Sequence, residues 1–459
     1  MKITINDLFE IPSSVIYNPD VFSNTNKVVI NSTLAKKNSI FFAIKGDKHD
    51  GHKFIEDAIL TGAKTIVINK EYYKNIKSDN VVIVAVDDTT KAFGDLARIY
   101  RKKLNGAVIG ITGSNGKTTT KDFVSTLLSE QFNVVKTEAN NNNHIGVPLT
   151  IFNAKANTEI LVLEEGTNHF GEIEYIASIS LPDFALITNI GESHLEFLKN
   201  KEGVYKEKSA LFSYTLLNGG KIFVNSDDPI LKEKMKDFKN KVTYGFKGRP
   251  NVKGKILGIT PDGKSKIEIT MQDVKFSIDL PVLGQSNASN FLAAVAIALN
   301  LDLTVKEIKS AAKILIPAKG RLEAKPLKDM LLIDDTYNSN PESSKAAIEL
   351  VAKIKLYKNK FLILGDMFEL GRQSKKMHES LSEIIIKHNF NGVLLIGKAM
   401  KHLHNKLKKE KQITIYCKER TELSDLINKL DLSESVVLIK GSRGMKMEQF
   451  VKQIENGNK

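Results

Sequence analysis

The run Gly113-Ser114-Asn115-Gly116-Lys117-Thr118-Thr119-Thr120 directly follows the apolar Ala107-Val108-Ile109-Gly110-Ile111, and it constrains this chain more than any other stretch. An apolar strand that ends in a glycine-rich turn and opens a helix aims several backbone N–H groups at one point. The positive end of the helix dipole adds to that field, so the turn is built to hold phosphate. Lys117 would reach the outer phosphates, and the Thr118 hydroxyl would be offered to Mg2+. The general phosphate loop begins with a glycine where this chain has Ile111, so this is the shorter G-x-x-G-K-T-T form. Lys121 to Leu128 then reads as an amphipathic helix.

With 459 residues the chain is too long for one core and suits three domains of ordinary size. A hydrophobic share of 42% and a charged share of 26% are those of a globular protein. The longest apolar run, Phe291 to Leu299, is too short to cross a bilayer, so no membrane span is expected. The first ten residues carry acids early and lack the basic-then-apolar layout of a secretion signal. Cys417 is the single cysteine, so no internal disulfide can form and a reducing cytoplasm is the expected location. It sits in the strand-like run Ile413 to Cys417 and is expected to be buried packing. The net charge of +14 comes from lysines spread along the whole length. No block alternates basic and aromatic residues and tryptophan is absent, which argues against a nucleic-acid partner. A basic surface still favours a polyanionic substrate such as a nucleotide.

Three segments separate by pattern. Residues 1–100 alternate short strands (28–30, 40–44, 65–68, 81–84) with helices, a small α/β unit. Residues 101–317 carry the phosphate loop and strands at 160–163, 184–188 and 221–224 between helical stretches, which implies a parallel, helix-covered sheet. Within them, residues 254–283 alternate around Pro261-Asp262-Gly263-Lys264 and read as an inserted antiparallel hairpin. Residues 318–459 repeat the rhythm with strands at 330–333, 361–364, 393–396, 413–416 and 436–439, a third α/β domain of Rossmann-like topology.

Parallel sheets bind ligands at the carboxyl ends of their strands. There the middle segment places Glu164-Glu165-Gly166-Thr167-Asn168-His169 and Asn189-Ile190-Gly191-Glu192-Ser193-His194-Leu195-Glu196. Between them and the phosphate loop stands Thr137-Glu138-Ala139-Asn140-Asn141-Asn142-Asn143-His144. One rim thus receives a phosphate loop, a carboxylate, an imidazole and an amide cluster, the makings of a nucleotide–Mg2+ site.

These stretches, with Asn287-Ala288-Ser289-Asn290, Gly320-Arg321, Asp334 to Pro341, Leu364 to Gly371 and Lys440 to Met445, resemble the Mur ligase family over nearly the whole chain. The runs Asp335 to Pro341 and Leu364 to Gly371 narrow the resemblance to members that join D-alanyl-D-alanine to UDP-N-acetylmuramoyl-tripeptide. The phosphate loop alone is shared with folylpolyglutamate synthase, the nearest rival reading.

The resemblance implies an ATP-dependent ligase in peptidoglycan precursor synthesis, working as a monomer through an acyl phosphate. It implies that Gly113, Ser114, Asn115, Gly116, Lys117, Thr118 and Thr119 hold ATP. Asn287 and Asn290 would read adenine, although Asn at a helix start is also an everyday N-cap. Arg321 and Asp335 would reach phosphate and ribose from the third domain, which requires the domains to close. Two Mg2+ ions are implied, the first on Thr118 and Glu164, the second on His194. Lys208 is the position that becomes carbamylated to support the second ion. Lys117, His194, Lys208 and Arg321 would carry catalysis.

Asn142, His144, Tyr337, Asn338 and Asn340 fall to the substrates, and Lys440 or Arg443 would meet the dipeptide carboxylate. The first domain would take the UDP part through Ser32 and Lys45, the latter in Lys45-Gly46-Asp47-Lys48-His49-Asp50-Gly51-His52. Two positions depart from the family pattern. Asn31-Ser32-Thr33 stands where Asp-Ser-Arg is usual. Glu165 stands where an apolar residue is usual, and is read as solvated or as extra charge at the metal site.

Overall fold

The computed structural model describes residues 2–46, 49–75 and 79–457, and builds three helix-covered sheets. The first runs, edge to edge, Val15–Tyr17, Val82–Val86, Ala63–Asn69, Ser39–Phe42, Val28–Val29, with only Val15–Tyr17 antiparallel to its neighbour. The third runs Glu323–Leu327, Met330–Asp335, Ser435–Lys440, Asn359–Gly365, Gly392–Ile396, Thr414–Cys417, again with one antiparallel edge, Glu323–Leu327.

The middle sheet has nine strands, in the order Val274–Leu283, Lys264–Met271, Val252–Ile259, Lys241–Gly245, Lys221–Asn225, Phe184–Ile187, Ala107–Thr112, Ile160–Glu164, Val134–Lys136. From Val252–Ile259 to Val134–Lys136 every pairing is parallel. The stretch expected as an inserted hairpin instead prolongs this sheet. Val252–Ile259 pairs parallel with Lys241–Gly245 and only then turns back through two antiparallel strands. Alternation shows where a strand has one wet face, but it carries no information on which neighbour it joins. Strands 15–17, 134–136 and 323–327 escape the sequence reading because they are edge strands of three to five residues, too short to show a period.

The continuous apolar runs of the central strands follow from burial on both faces. Ile109 and Ile111 pack with Phe123, Leu127 and Phe291 on one side, while Val108 packs with Phe93, Val147 and Ile176 on the other. Leu186 and its neighbours Ala185 and Ile187 divide the same way. Side chains alternate across a strand, so a one-residue slip would put every one of them on the wrong face. The helix Gly284–Asn300 starts earlier than the apolar run implied, with Leu283 rather than an asparagine at its N-cap. Cys417 is buried in one apolar cluster with Ile396, Leu423 and Phe450. Among the described residues, no helix is long and apolar enough to cross a membrane.

Apolar clusters also cross between the sheets. Ile40 and Val84 of the first share a cluster with Leu161 of the middle, and Leu211 of the middle shares one with Leu331 and Leu362 of the third.

Candidate active site

The strand Ala107–Thr112 ends at Gly113, φ 147°, and the helix Lys117–Leu128 opens after Gly116, φ 82°. Both are backbone conformations that an L side chain rarely adopts. A Cβ on Gly113 would sit 1.9 Å from Thr188 Oγ1. The turn is tied to the loop after the neighbouring strand. Ser114 N–H donates to Asn189 O at 3.0 Å, Asn115 N–H to Asn189 Oδ1 at 3.0 Å, and Gly191 N–H to Ser114 Oγ at 2.8 Å. Lys117 Nζ folds back onto Gly113 O at 2.8 Å, closing the turn on itself.

Glu164, at the end of the next parallel strand, is buried, and only one of its carboxylate oxygens is used inside the protein. Asn142 Nδ2 donates to Oε1 at 2.9 Å, and Oε2 has no partner. A buried oxygen left open beside a phosphate turn fits a hard cation. Among the described residues no three or more His, Cys, Asp or Glu gather into a cage. One carboxylate plus phosphate and water oxygens is the usual manner of Mg2+. Asn142 therefore lines the cleft with one amide N–H already donated to the carboxylate.

Lys208, on the helix Lys201–Leu217, is wholly buried and its Nζ has no hydrogen-bond partner. Burial pushes its pKa well below the ordinary lysine value. The Lys117 charge lowers it further, against the pull of Glu207 and Glu164. Burial likewise lowers Lys117, with Glu164 opposing and Arg321 adding to the fall. An unpaired amine held neutral is a nucleophile.

The third domain closes the site from the other side at four points. Tyr337 OH donates to Asn140 Oδ1 at 2.5 Å, and Arg321 Cζ lies 3.9 Å from the Tyr337 ring centroid. Asn340 Nδ2 donates to Asn115 Oδ1, on the phosphate turn itself, at 2.7 Å. Glu342 takes Lys201 Nζ at 2.6 Å and the Glu192 N–H at 3.1 Å. Glu369 Oε2 lies 2.7 Å from His194 Nδ1. The cleft between them, about 890 Å³ and open to solvent, is walled by Lys117, Glu164 and His194 from the middle domain and by Arg321, Asp335 and Asn340 from the third.

Three family models match in order. The Mur ligase family catalytic domain covers residues 25–101, the Mur ligase middle domain 111–298, and the Mur ligase glutamate ligase domain 320–443. The UDP-N-acetylmuramoyl-tripeptide–D-alanyl-D-alanine ligase of Bacillus subtilis (strain 168) is 32% identical over 464 residues, 99% of this chain and 98% of that one. This chain belongs to the Mur ligase family. The Escherichia coli (strain K12) ligase of the same name is 30% identical, across 100% of this chain and 99% of its own. Among solved structures, MurF from Acinetobacter baumannii superposes with a TM-score of 0.89 at 26% identity, covering 99% of each chain. MurF from Thermotoga maritima in complex with ADP gives 0.83 at 30% identity, covering 94% of this chain and 97% of that one.

Within this Mur ligase the remaining sequence candidates fall as follows. Ser114, Asn115, Gly116, Thr119, Asn287, Asn290, His144, Tyr337 and Asn338 also stand on the cavity wall. Gly113, Thr118 and Lys208 are not among the residues that wall it. Asn290 crowds the phosphate turn, 2.4 Å from where a Cβ on Gly116 would stand. Asn287 is buried, with its amide donated to Leu283 O at 2.9 Å.

Of the two cations expected for a dipeptide carboxylate, Lys440 is buried, its ammonium held by Asp335 Oδ2 at 2.6 Å and Asn338 O at 3.0 Å. Arg443 is exposed, and its partner Glu448 is 3.8 Å away. Ser32 is buried and Lys45 exposed on the first domain, both away from this cavity. Asp47 and Lys48, in the Lys45 to His52 stretch, lie outside the described residues.

Glu165 matches neither sequence reading. It is fully buried on the face opposite Glu164, takes Ser180 Oγ at 2.8 Å, and burial pushes its pKa up to about 8. Consecutive strand residues point to opposite faces, which separates it from the cation position. Sequence reasoning also passed over Glu342 and Glu369. Glu369 sits in the Leu364 to Gly371 run, so the motif was visible while its partner was not.

Proposed function

We propose that this Mur ligase is a cytoplasmic, monomeric enzyme that joins D-alanyl-D-alanine to UDP-N-acetylmuramoyl-tripeptide. One observation carries the reading: a phosphate turn, an open carboxylate and an imidazole from one domain share a cavity with an arginine from another. In the first step an oxygen of the tripeptide carboxylate attacks the γ-phosphorus of ATP. The bond from that phosphorus to the β–γ bridging oxygen breaks, and ADP leaves. The dipeptide amine then attacks the acyl phosphate carbonyl, gives up a proton, and phosphate departs as the C–N bond forms.

The residues position charge rather than forming covalent bonds to substrate. The turn from Gly113 to Thr119 cradles the phosphates, and Lys117 moves from Gly113 O to the outer ones. Arg321, whose planar fork binds phosphate in two places, meets the transferring group from the third domain. Thr118 and Glu164 would hold one Mg2+ and His194 a second, which supply neutralisation of the phosphate charge. As a carbamate, formed when its neutral Nζ adds to CO2 and loses a proton, Lys208 would support that second ion. Asn287 and Asn290 face adenine, and Asp335 the ribose. Asn142, His144, Tyr337, Asn338, Asn340 and Arg443 face the peptide substrates, while Ser32 and Lys45 take the UDP part. Closure by the third domain keeps water from the acyl phosphate.

The test is ADP release and product mass with D-alanyl-D-alanine and tripeptide acceptors ending in lysine or in a diamino acid. Product with either acceptor is the expected result, and turnover only with folate and glutamate would overturn the assignment. Lys117→Ala should lower kcat by about 10²–10³-fold while leaving the fold intact.

A further inference from the structure

Arg321 lines the cleft from the third domain, and its neighbours on that domain set its aim. Its backbone is tied on both flanks to the segment that ends the strand Met330–Asp335. The Tyr337 N–H donates to Gly320 O at 3.0 Å, and the Leu322 N–H to Asp335 Oδ1 at 3.1 Å. Gly320 permits the approach, since its φ is 68° and a Cβ there would stand 3.3 Å from Tyr337 N. Among the described residues the guanidinium itself forms no hydrogen bond and no ion pair. Its Cζ lies over the ring of Tyr337, 3.9 Å from the centroid. All the N–H groups of the fork are thus left without partners, in a cleft that Lys117 also lines. The two charges are near enough for Arg321 to depress the Lys117 pKa, which an arriving phosphate would relieve.

We infer that Tyr337 is the positioning residue for Arg321: its ring holds the guanidinium by one face and leaves the N–H edges free for the transferring phosphoryl group. It does so for the role proposed for Arg321, on which this inference rests. A planar, weakly hydrated cation is drawn to the negative face of an aromatic ring, and stacking occupies its face alone. A carboxylate would also orient an arginine, but it would take the same N–H fork that phosphate needs. The ring fixes the cation without competing for it. The hydroxyl ties that ring to the middle domain, which carries the phosphate turn, by donating to Asn140 Oδ1 at 2.5 Å. Asn140 is exposed, so this bond adds little and the ring carries the effect. Arg443 Cζ stands farther from the same centroid, at 5.8 Å.

The test is steady-state turnover of the full-length enzyme with ATP, the tripeptide nucleotide and the dipeptide. Tyr337→Phe keeps the ring and should hold kcat within about threefold of the wild type. Tyr337→Leu keeps bulk without a π face. It should lower kcat about tenfold with little change in the KM for ATP, because the lost alignment matters most to the transferring group. In an Arg321→Ala background the same Leu substitution should cost less than about twofold, since no guanidinium is left to align. Packing lost on its own account would instead lower kcat equally in both backgrounds. Tyr337→Met repeats the comparison should the Leu variant unfold. Equal losses in the two backgrounds, a Phe variant as impaired as Leu, or a loss that vanishes with Arg443→Ala but not with Arg321→Ala would each overturn the assignment. Failure of the proposed ligase reaction would be seen separately, as absence of product from the wild type, and failure of the role of Arg321 as wild-type turnover in Arg321→Ala.

Discussion

Lys440 Nζ lies 2.6 Å from Asp335 Oδ2, and the two residues are direct partners across adjacent parallel strands of the third sheet. Both are buried at the cavity end of those strands. Asp335 Oδ1 takes the Leu322 N–H at 3.1 Å, so the same carboxylate anchors the segment that carries Arg321. The pair therefore links the stability of the third domain to the aim of an arginine at the phosphate site.

Removing one partner should leave the other charge buried and alone. Lys440→Met is expected to lower stability by about 3–5 kcal/mol, measured by denaturant unfolding. Combining it with Asp335→Leu should recover most of that loss, because an apolar pair replaces an ion pair at little cost. The double variant should nevertheless stay weak in turnover, since Leu322 and Arg321 lose their anchor. Recovery of both stability and kcat would show that Asp335 has no part in placing Arg321.

Lys208 presents the opposite case, a buried amine with no partner. Replacing it with Met keeps the volume and removes the polar atom. In bicarbonate-free buffer Lys208→Met should be more stable than the wild type by about 1–3 kcal/mol, and inactive. Lys208→Ala should also be inactive, and short carboxylates added at high concentration should restore part of its turnover. A Met variant that unfolds more easily than the wild type would mean that the amine is satisfied in solution.

Glu165 sets a pH dependence of stability. Its folded pKa, about 8, stands above the ordinary glutamate value of 4.5. The folded state thus holds a proton that the unfolded state has released, and this favours unfolding increasingly as pH rises from about 4.5 to 8. The slope from one such group is at most about 1.4 kcal/mol per pH unit. Glu165→Gln, which keeps the shape of the protonated carboxyl but does not titrate, should flatten that slope. Unfolding midpoints of the two proteins at pH 5 and pH 8 check it: near equality at pH 5 and a clear gain for Gln at pH 8 are expected. Parallel curves would place a water or cation against Glu165 Oε2.

The glycine-rich turn, its flanking strand and helix, and most central strands were legible because each is decided within a few residues. Gly113 and Gly116 announce left-handed backbone, and doubly buried strands announce themselves as apolar runs. Glu164 was legible too, because chain order places it at the carboxyl end of a strand beside the loop. Short edge strands such as 134–136 were not, since three residues are too few to show a period.

What the chain order fixes is therefore local: the phosphate turn, the parallel strands and the rim on which Glu164 and His194 fall. Only the tertiary structure decided that Ser180 meets Glu165, that Lys440 is spent on Asp335, and that Glu369 reaches His194. The physical reason is range. Periodicity tells which way a side chain points, but Glu192 and Glu342, 150 residues apart, meet only because separate cores dock and bring their surfaces into hydrogen-bonding distance.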